Sequence, residues 1–381
     1  MMAPLALTLT GAEILRPHGM EAAPLSLAEG RITDAAQARV VDLSGFRVLP
    51  GIVDVHGDGF ERHLAPRRGA MRDLGQGLAA AEAELAANGI TTAVLAQFWS
   101  WEGGMRGPDF ALRFLEALAN HRGLGTDLRA QLRMETHLLA DYPAIADAVV
   151  RFGIGYVVFN DHLPHAALIA GKRPPRLTGQ ALKSGRSPDD HLALIQRLHD
   201  LSAQVPAALD GLAARLKALG VILGSHDDAT AEERDDWRGR GAAVSEFPET
   251  RIAAAAARAG GDRIVLGAPN VVRGGSHSGN VAAADLVTDG LCDALASDYH
   301  YPAPRQAALM LADRIGLPAA WDLVAAGPAR LLGLTDRGSL MPGLRADLLV
   351  MDDTGHVGAT IAGGRVTHMT GAVAARFIGA V

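Results

Sequence analysis

Apolar and polar positions follow two regimes along this chain. Through residue 50 they change over short runs, at Leu5–Thr10, Gly11–Leu15, Arg31–Thr33, Val40–Leu43 and Arg47–Leu49, which predicts short β-strands separated by turns. From 51 to 335 continuous apolar runs alternate with Ala/Leu/Glu-rich helical stretches. Strands are expected at Ile52–Val55, in the run I-T-T-A-V-L-A after Gly89, and at Arg129–Glu135, Tyr156–Phe159, Val221–Gly224, Ala242–Ser245, Ile264–Gly267 and Ala294–Ala296. Between them the text predicts helices at Gly77–Asn88, Phe110–Asn120, across most of Asp189–Leu216, and at Arg251–Ala259 and Asn280–Thr288, with a final one around Trp321–Leu332. Alternation of this kind makes parallel βαβ units, and about eight of them make a closed α/β barrel of the (β/α)8 TIM type.

After that helix the text returns to strands, S-L-M-P-G-L-R-A-D-L-L-V-M-D and then A-T-I-A-G-G-R-V-T-H. The two ends of the chain therefore look alike. They are expected to pair into one small β-sandwich subdomain, residues 1–50 with 336–381, flanking a barrel of residues 51–335. The polar stretch Gly171–Asp190, with three prolines and five basic residues, is the expected mobile loop.

Composition narrows the functional class. Of the 381 residues 49% are hydrophobic but only 4% aromatic, so a large core must be packed by small and aliphatic side chains. A net charge of −6 argues against a general nucleic-acid or acidic-membrane binder, and an anionic ligand would need local positive charge. The single cysteine, Cys292, excludes an internal disulfide and fits a reducing compartment. No apolar stretch reaches the roughly 18 residues of a membrane span, and the N-terminus lacks a basic signal-peptide region. A cytoplasmic enzyme is expected, and homo-oligomerisation through the outer helices is compatible with the pattern.

Candidate chemistry gathers where strands end. The run L-P-G-I-V-D-V-H-G-D-G-F places His56 and Asp58 two apart, on one face of a strand end. Glu135 follows Q-L-R-M with His137 two residues on, Asp161 and His162 follow Tyr156–Asn160, His226, Asp227 and Asp228 follow V-I-L-G-S, and Asp298 follows A-L-A-S. Each has a plainer reading. Asp228 and Thr230 could cap the helix A-E-E-R-D-D-W, since Thr230 and Glu233 have capping-box spacing. Together, however, a barrel would converge them on one axis, where uncompensated carboxylates repel. Two divalent ions, of zinc or manganese type given mixed N/O ligands without thiolate, satisfy that set.

This arrangement resembles the amidohydrolase superfamily, with H-x-[HD] on the first barrel strand, a bridging group on the fourth, histidines on the fifth and sixth, and an aspartate on the eighth. The terminal runs P-G-I-V-D-V-H and P-G-L-R-A-D-L-L-V resemble it too. The resemblance implies that His56, Asp58 and Asp298 hold one metal and His162 and His226 the other. Glu135 would bridge them in place of a carbamylated lysine, and Asp298 would serve as general base.

Narrower runs, S-H-D-D-A-T, S-E-F-P-E-T, G-A-P-N-V-V-R-G-G-S-H-S-G-N and S-D-Y-H-Y-P, resemble the diphosphatases of the carbon–phosphorus lyase pathway. These split a 5-triphosphate of ribose 1-methylphosphonate into 5-phosphate and pyrophosphate. The implied partner is a small phosphorylated molecule attacked by a metal-bound hydroxide. A glycine-rich loop entering a helix at Asn280 suits phosphate oxygens. Arg273, Gly274, Gly275, Ser276 and Asn270 are the expected binding residues there, with His277 as proton donor to the leaving group. Arg62, His63, Arg67 and Arg68 after the first strand, and Lys172, would add positive charge. The chain departs from that family in three places. It has His56–Gly57–Asp58–Gly59 where the family has His-Thr-Asp-Asn. It carries the Trp-rich Q-F-W-S-W-E-G-G. It also has L-P-H-A-A-L-I-A-G-K-R-P-P-R where the family has a Pro-Gly-Gln-Arg-Gln segment after Asp-His.

Overall fold

A computed structural model describes residues 3–65, 73–275 and 279–379. Eight strands stand side by side in chain order in one sheet: Ile52–Gly57, Ile90–Trp99, Asp127–Glu135, Tyr156–Asn160, Ile222–His226, Val244–Glu246, Arg263–Gly267 and Ala294–Ala296. Neighbouring strands run parallel, as in Leu132 beside Val157 and Ser225 beside Ser245. A parallel bridge between Gly57 and Asp298 joins the first strand to the segment after the eighth and closes the barrel. Strands covered on both faces read as unbroken apolar text. Accordingly, Ile90–Trp99 is buried at every position, as is Ile52–Gly57.

The chain packs as two compact units, one of Met1–Leu95, His121–Arg129 and Arg263–Val381, the other of Ala96–Asn120 and Ala130–Asp262. In the first, both ends of the chain contribute to one six-stranded sheet. Its order is Arg365–Met369, Val357–Ala362, Leu348–Met351, Arg47–Pro50, Glu13–Arg16, Gly19–Ala22. Leu349 lies opposite Leu49 in an antiparallel pair. A four-stranded sheet, Arg31–Thr33, Leu25–Ala28, Leu7–Thr10 and Val40–Asp42, faces it. Leu7, Leu9, Leu25 and Leu27 meet Ile14, Val48, Leu348 and Ile361 in one buried cluster, making a sandwich. Each such side chain contributes about 1.5–3 kcal/mol by leaving water.

In the second unit, Trp101, Leu163, Leu168, Leu177, Ile195 and Leu198 form a separate apolar cluster. It explains why Gly171–Asp190 is not the loop its composition suggests. Leu177 and Ala181 are buried on the helix Leu177–Ser184, and Ser187 caps the next helix by accepting from the Asp190 amide. Arg186 also donates to the Trp101 carbonyl at 2.8 Å.

Three other expectations change. The final helix is two pieces, Leu317–Asp322 and Ala326–Leu331, preceded by a helix at Ala303–Ile315 that the pattern reading passed over. Its signal was present, with prolines at the start and apolar residues at 307, 308 and 311 on one buried face. The helix expected from Asn280 begins at Ala283. Finally, only Ile90–Trp99 stands between the first strand and Asp127–Glu135, so the ends carrying Glu135, His162 and His226 belong to strands three, four and five rather than four, five and six. Among the described residues no helix is long and apolar enough to cross a membrane.

Candidate functional site

In the first unit the first and last barrel strands are locked together. Asp54 accepts from the Ser297 amide at 2.9 Å and the Ser297 hydroxyl at 2.5 Å. The Asp298 amide donates to the His56 carbonyl at 2.9 Å, and the Asp58 amide to the Asp298 carbonyl at 2.8 Å. His56 is fully buried at the strand end, with Asp58 and Asp298 partly exposed beside it. Burial pushes the Asp54 carboxyl above its ordinary range despite the Ser297 bonds. Gly57 leaves room for this packing, because a Cβ there would stand 2.7 Å from Asp54 Oδ2 and 2.8 Å from Ser297 Oγ.

In the second unit, the buried Glu135 pairs with the partly exposed His162. Glu135 Oε1 lies 2.6 Å from His162 Nδ1, and Oε2 accepts from the His162 amide at 3.0 Å and the Trp101 indole at 3.2 Å. Burial alone would raise the Glu135 carboxyl, but the hydrogen bonds and charge of His162 outweigh it and hold the group below its ordinary value. The same partner raises the His162 imidazole against its own burial. Both Glu135 oxygens are thus engaged, as in a carboxylate that orients a metal-binding histidine.

His226 is arranged the same way. Its Nδ1 lies 3.4 Å from Glu246 Oε2, and its Nε2 lies 2.7 Å from Arg133 Nη2. Arginine only donates, so Nε2 is the acceptor and the ring proton sits on Nδ1, facing Glu246. Glu246 is fully buried and held by Tyr156 at 2.6 Å and Gln131 at 2.8 Å. At His162 Nδ1 is secured by a buried carboxylate and Nε2 is the atom a divalent ion would take, whereas at His226 Nδ1 likewise faces a buried carboxylate but Nε2 accepts from Arg133, which an ion would have to displace. At His162 the ion would replace a proton. The chemistry of these residues fits a metal.

Asp227, Phe247 and Asp298 directly follow barrel strand-end residues or stand two beyond the strand, and all three are left-handed, at φ 62°, 54° and 54°. Non-glycine residues rarely hold this conformation, and it collects at functional sites.

Some expected residues are placed differently. Arg273 ends the helix Ala268–Arg273, so its segment meets a helix C-terminus, and it donates to the Tyr299 hydroxyl at 2.6 Å. Gly274 and Gly275 follow as the turn. Asn270 spans that loop, accepting from the Ala283 amide at 2.9 Å and donating to the Val281 carbonyl at 3.2 Å. Arg62 and His63 both pair with Glu84. Lys172 is exposed after the helix His165–Ile169. Arg67, Arg68, Ser276 and His277 lie outside the described residues. Trp99 and Trp101 are buried and donate to Asp141 and Glu135, so they are framework rather than an open wall. Asp228 is structural: it accepts from Ser225, Ser245 and Arg234. The capping box of Thr230 and Glu233 is present as its spacing implied.

Sequence reasoning missed Glu246, Arg133 and Asp54 as members of the site. Glu246 carried a signal, standing at a strand end in S-E-F-P-E-T. Asp54 carried one too, two residues before His56 on the same strand face.

No family model matches the chain. Among solved structures, N-isopropylammelide isopropylaminohydrolase from Burkholderia multivorans superposes with a TM-score of 0.63 at 17% identity, covering 95% of this chain and 97% of that one. N-acetyl-D-glucosamine-6-phosphate deacetylase from Mycobacterium smegmatis superposes with a TM-score of 0.60 at 18% identity, covering 94% and 99%. These likenesses establish the barrel fold. In sequence, the chain is 34% identical over 327 residues to the alpha-D-ribose 1-methylphosphonate 5-triphosphate diphosphatase of Escherichia coli (strain K12), 81% of this chain and 84% of that protein. At that identity over most of both proteins, the chain belongs to the family of that diphosphatase.

Proposed function

We propose that this hydrolase cleaves the 5-triphosphate of α-D-ribose 1-methylphosphonate 5-triphosphate, leaving the 5-phosphate and releasing pyrophosphate. The observation that carries the reading is the 34% identity to the diphosphatase across 81% of the chain. In this reading His56, Asp58 and Asp298 hold one divalent ion, and His162 and His226 hold a second, with Arg133 giving up its bond to His226 Nε2. The bound ions would supply Lewis-acid polarisation of the phosphoryl oxygens and activation of a water. Glu135 orients His162, Glu246 orients His226, and Asp298 takes the proton of the attacking water. Arg273, braced on Tyr299, faces the leaving pyrophosphate, and His277 is the proton donor expected from the sequence.

A second reading keeps the metals and changes the substrate to an amide or another phosphorylated sugar. One observation favours it. The segment after His162, where the family carries Gln and Arg, here forms the helix His165–Ile169, with His165 turned onto Asp161 at 3.0 Å.

The test is release of pyrophosphate by the metal-loaded protein from ribose 1-methylphosphonate 5-triphosphate, with nucleoside triphosphates as controls. Fast release from the phosphonate alone supports the first reading. No release, with metal bound, turns the assignment to the second.

A further inference from the structure

The substituted segment after His162 brings together groups that the hydrolytic reading does not use. His137, Asp161 and His165 each present a ligand atom, all within 4.8 Å of one another. His137 Nδ1 stands 3.5 Å from Asp161 Oδ1, and His165 Nε2 stands 3.0 and 3.1 Å from the two Asp161 oxygens. Tetrahedral ligands on zinc-length bonds of about 2.0–2.1 Å are separated by roughly 3.3–3.4 Å. The nitrogen-to-carboxylate spacings are already close to that.

Hydrogen bonding at the far side of each ring sets which nitrogen is free. Ser202 Oγ gives its only proton to the His199 carbonyl at 2.5 Å, so it must accept from His137 Nε2 at 3.1 Å. His137 thus carries its proton on Nε2 and turns the Nδ1 lone pair toward Asp161. Beyond His165, the His199 Nδ1 stands 2.7 Å from His165 Nδ1 and can accept its proton, leaving Nε2 as the lone-pair atom. The His137 side chain is 5% exposed, while Asp161 and His165 are 37% and 32% exposed, so one side of the cluster is buried and the other open.

We propose that His137, Asp161 and His165 form an additional divalent-metal site, of zinc type by its two-imidazole, one-carboxylate set, with its remaining position open to water or an anionic oxygen. Ser202 and His199 are its positioning residues, each fixing the tautomer of a ligand. The site is separate from Glu135, His162 and His226, and the proposal stands apart from the hydrolytic reading.

The test is metal content, which is read without catalysis. Metal-stripped full-length protein is titrated with Zn2+, and with Co2+ as a spectroscopic probe. Wild type is compared with His165→Ala, His137→Gln, Asp161→Asn and His199→Ala, and with His18→Gln, an exposed histidine away from both sites, as the control. The expected result is one ion fewer per chain in the first three variants, with wild-type content in His18→Gln. For His199→Ala the affinity of that ion should fall by about 10–100-fold, as for loss of an orienting partner. Should His165→Ala fail to fold, His137→Gln and Asp161→Asn, close in volume to the native residues, decide. Equal metal content in wild type and the folded ligand variants would overturn the proposal, leaving the cluster a relay of hydrogen bonds from His199 through His165 to Asp161.

Discussion

Glu135 and His162 are joined twice, by the ring nitrogen at 2.6 Å to one carboxylate oxygen and by the backbone amide at 3.0 Å to the other. Main chain and side chain of the histidine are thus both fixed by one buried group. The pairing determines which imidazole nitrogen is presented, and it sets how Glu135 should be tested. Replacing Glu135 with Gln keeps the shape and removes the charge. An orienting role predicts a fall in metal affinity of about 10–100-fold with a matching fall in kcat. Complete loss of one ion, measured by elemental analysis, would instead mark Glu135 as a direct ligand bridging the metals.

Asp298 allows a cleaner substitution than most candidate bases. Its φ of 54° is left-handed, a conformation asparagine tolerates nearly as well as aspartate. Asp298→Asn should therefore keep the fold, and the backbone bonds to His56 and Asp58 should survive. Turnover should fall by about 100-fold or more if the carboxylate takes the proton. Near-normal kcat in a steady-state pyrophosphate assay would remove Asp298 from that role.

Asp228 stands next to the site in sequence but should affect stability first. Arg234 is fully buried and pairs with Asp228 at 3.1 Å and Asp262 at 3.1 Å, with further bonds to Ser225 and the Val244 carbonyl. Asp228→Ala strands part of a buried charge, at a cost of about 3 kcal/mol, the lower end for a broken buried pair because Asp262 remains. Urea denaturation would measure it. A stability within about 0.5 kcal/mol of wild type, as surface changes give, would contradict this account.

Asp347 should impose a pH dependence on the fold. Burial drives its carboxyl up to about 6 from 3.8, against the opposing pull of Arg345, the Gly363 amide and Arg337. A raised folded pKa means the protonated form is preferred in the native state. Its contribution is present in full below about pH 4 and is lost as pH rises through about 6, a change near 3 kcal/mol. In Asp347→Asn this fall should disappear. Parallel stability curves for wild type and variant between those pH values, from denaturant titrations, would rule it out.

Much of the barrel was legible because its signals are local. Continuous apolar runs such as Ile90–Trp99, helix stops such as Gly89, and the capping spacing of Thr230 and Glu233 depend on residues within a few positions of one another. The similarity of the two chain ends also foretold that Arg47–Pro50 and Leu348–Met351 would share a sheet. Helices at Leu177–Ser184 and Ala303–Ile315 were harder. In the first, a polar, proline-bearing stretch is held by burial of Leu177 and Ala181, with Leu177 in a cluster with Trp101, 76 residues away in the chain, a contact that local text does not announce.

For the site, the sequence by itself determined the chemical types and their recurrence at strand ends: His56 and Asp58, Glu135, His162, His226, Asp298. Only the tertiary structure decided which groups each one meets. Gln131 and Tyr156 lie 115 and 90 residues from Glu246, yet their bonds hold the carboxylate that faces His226 Nδ1. Glu135, expected as a metal bridge, has its two oxygens engaged by His162 and Trp101. His165 and His199 drew no attention as single histidines until folding set them 2.7 Å apart. Residue type fixes which protons and lone pairs exist, but hydrogen bonds act over about 3 Å, and which groups come within that reach is a property of long-range packing.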